Sequence, residues 1–184
     1  MKDSYVFFAD GFEEVEALSP VDVMRRAGMS VKTVSVTGTS GVVSAHGVKI
    51  ETDLLFDATI CKDAEWLILP GGMPGALGLY NCKPLTDLLL RHAAEGKKIA
   101  AICAAPGVVL GQLGLLEGQK ATCYPGFEEL CKGAIHEDAG VVESHNFVTG
   151  KGPAFALPFA YKIVEISMGK ETADSVAKGM LYKR

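Results

Sequence analysis

The chain has five cysteines but no Cys-x-x-Cys pair, and four histidines but no His-Glu-x-x-His or comparable metal-ligand spacing. An odd number of scattered cysteines does not suit a disulfide framework, so we expect reduced thiols. Histidines without ligand spacing do not indicate a structural metal site. We therefore predict neither a bound metal nor a cofactor.

The chain also lacks a long block of like charge: it has 18 Lys and Arg against 22 Asp and Glu, a net charge of −4. Nucleic acid and anionic membranes are therefore not expected partners. The most apolar window, residues 99–116, is broken by one proline and three glycines, so we predict no membrane span. Because the N-terminal residues do not resemble a secretory signal, we expect a cytoplasmic protein.

Alternating strand-like and helix-like patterns fill the 184 residues. The predicted strands are 5–9, 31–36, 42–44, 48–51, 66–69, 98–102, 121–124, 141–143 and 147–149. The predicted helices are 13–27, 85–94, one ending near 113, 125–132, 154–168 and 172–181. This alternation predicts βαβ units and a mostly parallel sheet with helices on both faces. With no linker or repeat visible, we predict one domain over residues 1–184.

Cys103 stands where the predicted strand 98–102 ends and a helical pattern begins. A thiol at the N-terminus of a helix, at the carboxyl edge of a sheet, can have a lowered pKa and be a reactive thiolate. Such a thiolate is a nucleophile and is also the form that peroxide oxidises. The alternative is a small apolar side chain in the core, and the residues alone leave both interpretations open.

Two backbone amides are candidates for an oxyanion hole beside that sulfur. Gly71 and Gly72 end the strand 66–69 at what should be the same sheet edge, and a glycine lets backbone approach a ligand closely. The amide of Gly72 and that of Ala104 are therefore expected to hold a developing negative charge. Taken alone, the two glycines are better explained by a tight turn that requires a positive φ.

An acidic cluster opens the first helix, with carboxyl groups at Glu13, Glu14 and Glu16. Acidic residues are common in a first helical turn because they complement the helix dipole. A buried member of the cluster, with a raised pKa, would be able to exchange protons with the thiol. The residues by themselves do not decide which of the three has this role.

No histidine lies close to Cys103 in the sequence. Tyr124 ends another predicted strand and either offers a hydroxyl to a substrate or is a half-buried aromatic. His46 and His145 fall in predicted turns, where a surface position is expected. The other four cysteines are expected to have no catalytic role, although one of them, Cys123, is expected near the site.

These residues carry a resemblance to the ThiJ/PfpI superfamily, on the branch of the parkinsonism-associated protein deglycase and its bacterial homologues. The matching pieces follow the family's order: Gly11-Phe-Glu-Glu-Val-Glu16-Ala, Pro20-Val-Asp-Val-Met-Arg-Arg-Ala-Gly28, Leu69-Pro-Gly-Gly72, Ala100-Ala-Ile-Cys103-Ala-Ala-Pro106 and Gly150-Lys-Gly-Pro153. The resemblance implies a flavodoxin-like, three-layer α/β sandwich of the class I glutamine amidotransferase type, and a homodimer.

The resemblance also implies roles for individual residues. It identifies Cys103 as the reactive cysteine and Glu16 as the carboxyl that hydrogen-bonds to it. The backbone amides it implies are those of Gly72 and Ala104. The surrounding pocket is then expected to include Gly71, Glu13, Tyr124 and Pro153.

The implied activity is that of a glutathione-independent glyoxalase or protein deglycase, acting on small reactive carbonyls such as methylglyoxal. The alternative is a redox-sensing stress protein or chaperone whose cysteine oxidises to sulfinate.

The chain departs from the family's pattern at two positions, and both departures bear on its function. Tyr124 stands where many relatives have a histidine, and Ala104 stands where the protease-like branch has one. Protease and thiazole-biosynthesis functions, which older family names suggest, are therefore less favoured.

Overall fold

The computed structural model describes residues 2–184. Its strands are β1 (Ser4–Phe8), β2 (Val31–Ser35), β3 (Gly41–Val43), β4 (Lys49–Glu51), β5 (Leu54–Leu55), β6 (Trp66–Leu69), β7 (Lys98–Ile102), β8 (Lys120–Ala121), β9 (Ile135–His136), β10 (Val141–Ser144) and β11 (Phe147–Gly150). Its α-helices are α1 (Glu14–Arg26), α2 (Ala58–Cys61), α3 (Gly75–Asn81), α4 (Lys83–Ala94), α5 (Ala156–Met168) and α6 (Lys170–Gly179). Short 3₁₀ turns cover Glu128–Leu130 and Pro153–Phe155, and a π-helix covers Pro106–Gly111.

One sheet in the described part of the chain has the order β10-β11-β7-β6-β1-β2-β5. All its neighbours are parallel except β10 and β11, which form an antiparallel pair at one edge. The strands β1 and β6 lie in the middle of this order, and every residue of both is buried. Such continuous burial is typical of a parallel sheet that is covered on both faces.

Helices cover the two faces as separate groups. On one side α5 packs between α1 and α6, and on the other α3 contacts α4 and the π-helix. The result is the three-layer α/β sandwich predicted above, and the carboxyl ends of β1, β6 and β7 meet at one edge. Loops that follow those three ends supply the candidate site, as is usual for open α/β sheets.

Several predicted elements differ from those in the structure. The predicted strand 121–124 is shortened to β8 (Lys120–Ala121), and the predicted helix 125–132 is reduced to the 3₁₀ turn Glu128–Leu130. The amide of Tyr124 is instead bound to the carbonyl of Cys103, at 2.8 Å. Because of that contact, residues 122–124 do not pair as a strand, and residues 125–132 form no α-helix.

The sequence patterns missed the two short helices α2 and α3 and the strands β5 and β9, each of seven residues or fewer. Segments of this length carry less than two full helical or strand periods, so their apolar spacing is ambiguous. Within residues 2–184, no helix combines the length and apolar character needed to cross a membrane.

Candidate active site

Cys103 follows β7 in a left-handed backbone conformation, with φ of 66°. This conformation is uncommon for a residue other than glycine and costs on the order of 1–3 kcal/mol. Two hydrogen bonds hold it in place. The Cys103 amide donates to the carbonyl of Gly150 at 2.8 Å, and the Tyr124 amide donates to the carbonyl of Cys103 at 2.8 Å. The thiol is 8% exposed, so its orientation is set by the surrounding fold.

Glu16 faces this cysteine from α1 and is fully buried. Its Oε2 accepts a hydrogen bond from the Gly71 amide at 3.0 Å. Its Oε1 has no hydrogen-bond partner of ordinary geometry among residues 2–184. A Cβ at Gly71 would lie 2.7 Å from both the Cys103 Cβ and Glu16 Oε2. Glycine at this position therefore allows the thiol and the carboxyl to come together.

The environment of Glu16 favours the protonated carboxyl. Burial raises its pKa to about 7, and the negative charge of Glu13 adds to the rise. Interactions with the Cys103 thiol and with the Gly71 amide oppose this shift but do not cancel it. A carboxyl that titrates near pH 7 is suited both to accept and to return a proton in the physiological range.

The structure corrects our expectation that the Cys103 thiol has a lowered pKa. Burial raises the pKa of Cys103 to about 12, and the interaction with the neighbouring Glu16 carboxylate adds to this rise. The amides of Gly72 and Ala104 act in the lowering direction but are outweighed. A helix N-terminus does lower the pKa of a thiol. The sequence did not show that Cys103 would be buried or that a carboxylate would lie next to it.

The backbone amides of Gly72 and Ala104 act to lower the pKa of the Cys103 thiol. Their role as an oxyanion hole stays a prediction. Gly72 has φ of 86°, and a Cβ there would lie 2.4 Å from both the Glu13 nitrogen and the Gly11 oxygen. Only glycine fits this turn without moving backbone. The positive φ of Gly72 therefore agrees with the tight-turn explanation.

The carboxyl groups of the other two acidic residues of the cluster, Glu13 and Glu14, lie beside His46. The Glu13 amide donates to the Gly71 carbonyl at 3.0 Å, which ties the start of α1 to the glycine turn. Glu14 accepts from Ser44 Oγ at 2.5 Å and pairs with His46 Nδ1 at 2.8 Å. Hydrogen bonds from His46 and then Ser44 lower the pKa of Glu14 to about 2.

The ligand atoms of Glu13, Glu14 and His46 lie within 4.8 Å of one another, a spacing that a divalent cation could bridge. The ion pair between Glu14 and the exposed His46 accounts for the same geometry without an ion. His46 is therefore a surface residue, as we expected, that also closes the hairpin β3–β4 against α1.

A cleft of about 170 Å³, which Cys103 itself does not line, is lined by Tyr124, Pro125, Lys151, Gly152, Pro153, Ala154 and Phe155. The Tyr124 side chain is 45% exposed, and its ring meets Phe127 edge-on with centroids 6.5 Å apart. The structure thus brings Tyr124 and Pro153 to one cleft. Gly150, whose carbonyl anchors Cys103, was missed as a site residue, although its glycine-rich strand end was a usable signal.

The DJ-1/PfpI family profile matches residues 2–166. The chain belongs to the DJ-1/PfpI family. "Protein DJ-1 homolog B" of Arabidopsis thaliana is 40% identical over 95% of this chain, which spans 40% of that relative's length. The structure of oxidized DJ-1 from Toxoplasma gondii matches with a TM-score of 0.94 and 38% identity, over 100% of both chains.

Membership of the DJ-1/PfpI family confirms the resemblance and the flavodoxin-like fold that were inferred from the sequence motifs. A third relative, from Caenorhabditis elegans, is named "Glutathione-independent glyoxalase DJR-1.2". It is 34% identical over 90% of this chain and 88% of its own length.

Proposed function

We propose that this protein is a glutathione-independent glyoxalase, or a protein deglycase of the same chemistry, that acts on small α-oxoaldehydes through Cys103. The observation that carries the proposal is the arrangement of one thiol, one buried carboxyl and two amides. Cys103 and the Glu16 carboxyl, whose pKa is about 7, come together at Gly71, and the amides of Gly72 and Ala104 act to lower the pKa of the thiol. The glyoxalase name of the C. elegans relative supports this reading.

The first step follows from the raised pKa of Cys103. Because the resting thiol is protonated, it needs a base as it attacks, and the Glu16 carboxylate is the group beside it. The sulfur forms a bond to the aldehyde carbon C1, and the carbonyl electron pair moves to the aldehyde oxygen. The amides of Gly72 and Ala104 hold that oxygen. Glu16 then delivers the proton to it, which completes a hemithioacetal.

The second step is an internal proton transfer. Glu16 takes the hydrogen of C1 as a proton, and the electron pair left behind forms an enediolate with C2. Glu16 returns that proton to C2, and the C1 hydroxyl proton passes to the C2 oxygen. The result is a thioester of a 2-hydroxy acid. Water then attacks the thioester, the C1–S bond breaks, and Cys103 leaves as a free thiol. The sum is α-oxoaldehyde plus water giving a 2-hydroxy acid.

The test is lactate formation from methylglyoxal in the absence of any added thiol. We expect turnover by the wild-type protein and at least a 100-fold loss in Cys103→Ala, because the covalent intermediate cannot form. Cys61→Ser is the matched control, since Cys61 is also buried but faces no site residue. Equal rates for wild type and Cys103→Ala would contradict the proposal, as would loss of activity in the Cys61 control.

A second function is favoured by a specific observation: the site suits an oxidised cysteine as well as a substrate oxygen. Sulfinate oxygens on Cys103 would meet the same two amides and a protonated Glu16. The similarity to an oxidized DJ-1 structure supports this redox-sensor reading. Intact mass after mild peroxide separates the two functions. Selective gain of two oxygens on Cys103, with negligible turnover of methylglyoxal, would favour the sensor over the enzyme.

A further inference from the structure

Residues 122–124 leave β8 and run past the candidate site without pairing as a strand. Thr122 is fully buried, and Cys123 is 1% exposed. Buried backbone amides need hydrogen-bond partners, and this segment does not obtain them from a neighbouring strand. The Thr122 amide instead has a side chain as its partner: it donates to Thr149 Oγ1 at 3.0 Å.

Thr149 is a rigid anchor for this contact. It lies in β11, where it is paired with Val142 of β10 on one side and with Ala101 of β7 on the other. Its side chain is buried, and the two substituents on its Cβ restrict rotation about χ1. The hydroxyl therefore has a fixed position in the sheet, and the Thr122 amide is held at that position.

Three hydrogen bonds join this anchor to the cysteine in a closed ring. Thr149 is followed by Gly150, whose carbonyl accepts from the Cys103 amide at 2.8 Å. Thr122 lies two residues before Tyr124, whose amide donates to the Cys103 carbonyl at 2.8 Å. The third bond, from the Thr122 amide to the Thr149 hydroxyl, closes the ring. Cys103 is thus held at its N–H and at its C=O by two segments that are also bonded to each other.

This ring of hydrogen bonds explains how Cys103 keeps its left-handed conformation, with φ of 66°. Such a conformation persists only where the surrounding contacts enforce it. The conformation matters because the Cys103 Cβ and the Glu16 carboxyl come together at Gly71, where one added Cβ would lie 2.7 Å from both. A shift of the Cys103 backbone would therefore move the thiol relative to that carboxyl.

We propose that Thr149 is a positioning residue for Cys103. Its hydroxyl fixes residues 122–124, and these hold the cysteine in the backbone conformation that sets its thiol beside Glu16. Thr149 acts through the ring of hydrogen bonds and not on the substrate. The consequence for turnover rests on the glyoxalase function proposed above, whereas the consequence for the reactivity of the thiol does not.

Thr149→Val tests the hydroxyl, because valine keeps the branched shape and leaves the Thr122 amide without its acceptor. With methylglyoxal we expect kcat to fall by about 10- to 100-fold, since the thiol is misplaced. KM should change by less than about threefold, because the substitution removes no contact with the substrate. Thr149→Ser keeps the hydroxyl and should return kcat to within about threefold of wild type.

Thr86→Val is the matched control for the loss of a buried hydroxyl. Thr86 is 5% exposed on α4, and its hydroxyl donates to the Lys83 carbonyl at 3.0 Å, outside the ring. We expect its kcat to stay within about threefold of wild type. A loss of kcat as large as that in Thr149→Val would mean that any buried threonine hydroxyl has this effect, and the proposal would be overturned.

The pH dependence of Cys103 alkylation by iodoacetamide reports the position of the thiol without any turnover. In wild type we expect the rate to show an inflection near pH 7, where the Glu16 carboxyl titrates. The inflection should be lost in Thr149→Val, because the thiol is no longer held beside that carboxyl, and kept in Thr149→Ser and Thr86→Val. Peptide mapping assigns the alkylated cysteine.

The two readouts separate this proposal from the proposed function. The expected alkylation profiles in a protein that does not turn over methylglyoxal would support the positioning role and contradict only the glyoxalase function. An unchanged inflection in folded Thr149→Val, or one that Thr149→Ser does not restore, would overturn the positioning role.

Amide hydrogen exchange of the wild-type protein decides the question if Thr149→Val does not fold. The ring predicts that the amides of Thr122, Cys103 and Tyr124 exchange as slowly as those of β7, although Thr122 and Tyr124 lie outside the strands. Exchange of the Thr122 and Tyr124 amides at the rate of an exposed loop would show that the ring does not hold the cysteine, and would overturn the proposal.

Discussion

Burial of the Glu16 carboxyl lowers the stability of the folded protein at neutral and higher pH, whereas a neutral side chain would not have this effect. Its pKa is raised from an ordinary carboxyl value to about 7 by burial, so the folded state holds the proton over a range where the unfolded chain has released it. Stability from this group is therefore fully present below about pH 4.5 and is lost as pH rises through 7. A carboxyl kept under this penalty is typical of a functional group rather than a packing element.

Replacing Glu16 by glutamine should separate stability from function. The difference in unfolding free energy between Glu16→Gln and wild type should shift by about 3 kcal/mol in favour of the variant from pH 4.5 to pH 8. The reason is that the glutamate side chain titrates in this range and glutamine does not. Comparing the two pH values cancels any effect of the substitution that does not depend on pH. Urea unfolding at both pH values measures it.

Turnover should move in the opposite direction in the same variant. Loss of a general base typically lowers a rate by about 10²- to 10⁴-fold, and we expect Glu16→Gln to fall in that range with methylglyoxal. Glu14→Gln is the control, since Glu14 is already ionised in its pair with His46. If the stability difference between variant and wild type is the same at both pH values, or if turnover is unchanged, Glu16 is not a general base with a raised pKa.

The π-helix Pro106–Gly111 is the element that most clearly departs from expectation. The pattern after Cys103 is helical, and apolar spacing does not distinguish an α-helix from a π-helix. In the structure its two glycines, Gly107 and Gly111, lie against the segment that carries Phe127 and Leu130. Close backbone packing, which only glycine permits, sets the position of the whole loop that leads from Tyr124 to Cys131.

Adding a methyl group at Gly111 should therefore be costly. Its Cβ would meet the Leu130 oxygen and the Cys131 Cα, both backbone atoms that cannot rotate away. We expect Gly111→Ala to destabilise the protein by about 1–3 kcal/mol in urea unfolding. Gly179→Ala, at the end of α6 where a Cβ meets nothing within 4 Å, should change stability by less than about 0.5 kcal/mol. Similar losses at both positions would mean that packing at the π-helix is not the cause.

At the scale of the whole molecule, one surface region has exposed apolar side chains on α1 and on the neighbouring β3–β4 hairpin. They are Val15, Leu18, Val43 and Val48. The hairpin is joined to α1 through His46 and Glu14, so these side chains belong to one region. The homodimer implied by the family resemblance stays a prediction, and this region is where we expect its interface.

Sedimentation equilibrium tests that expectation. At micromolar concentration we expect a dimer, and we expect Val15→Glu to shift the protein to monomer because a buried charge would be left without a partner. Ile60→Glu is the control, since Ile60 is equally exposed on α2, away from this region. A wild-type monomer, or a dimer unaffected by Val15→Glu, would place the interface elsewhere or exclude it.

Much of the fold was readable from the order of residues. Alternating apolar runs and amphipathic segments indicated a parallel sheet covered on both faces, because burial periodicity is a local property of the chain. The same order placed Cys103, Gly72 and Ala104 at one sheet edge, and the family motifs selected Glu16. Short elements such as α3 were missed because they carry too few residues to show a period.

The electrostatics of the site were decided by tertiary structure alone. The sequence indicated that a thiol would meet a helix N-terminus, and from that it suggested a lowered pKa. Folding buried the thiol and set the Glu16 carboxylate against it, and both effects raise the pKa instead. Desolvation and charge–charge interactions depend on distances between residues far apart in the chain.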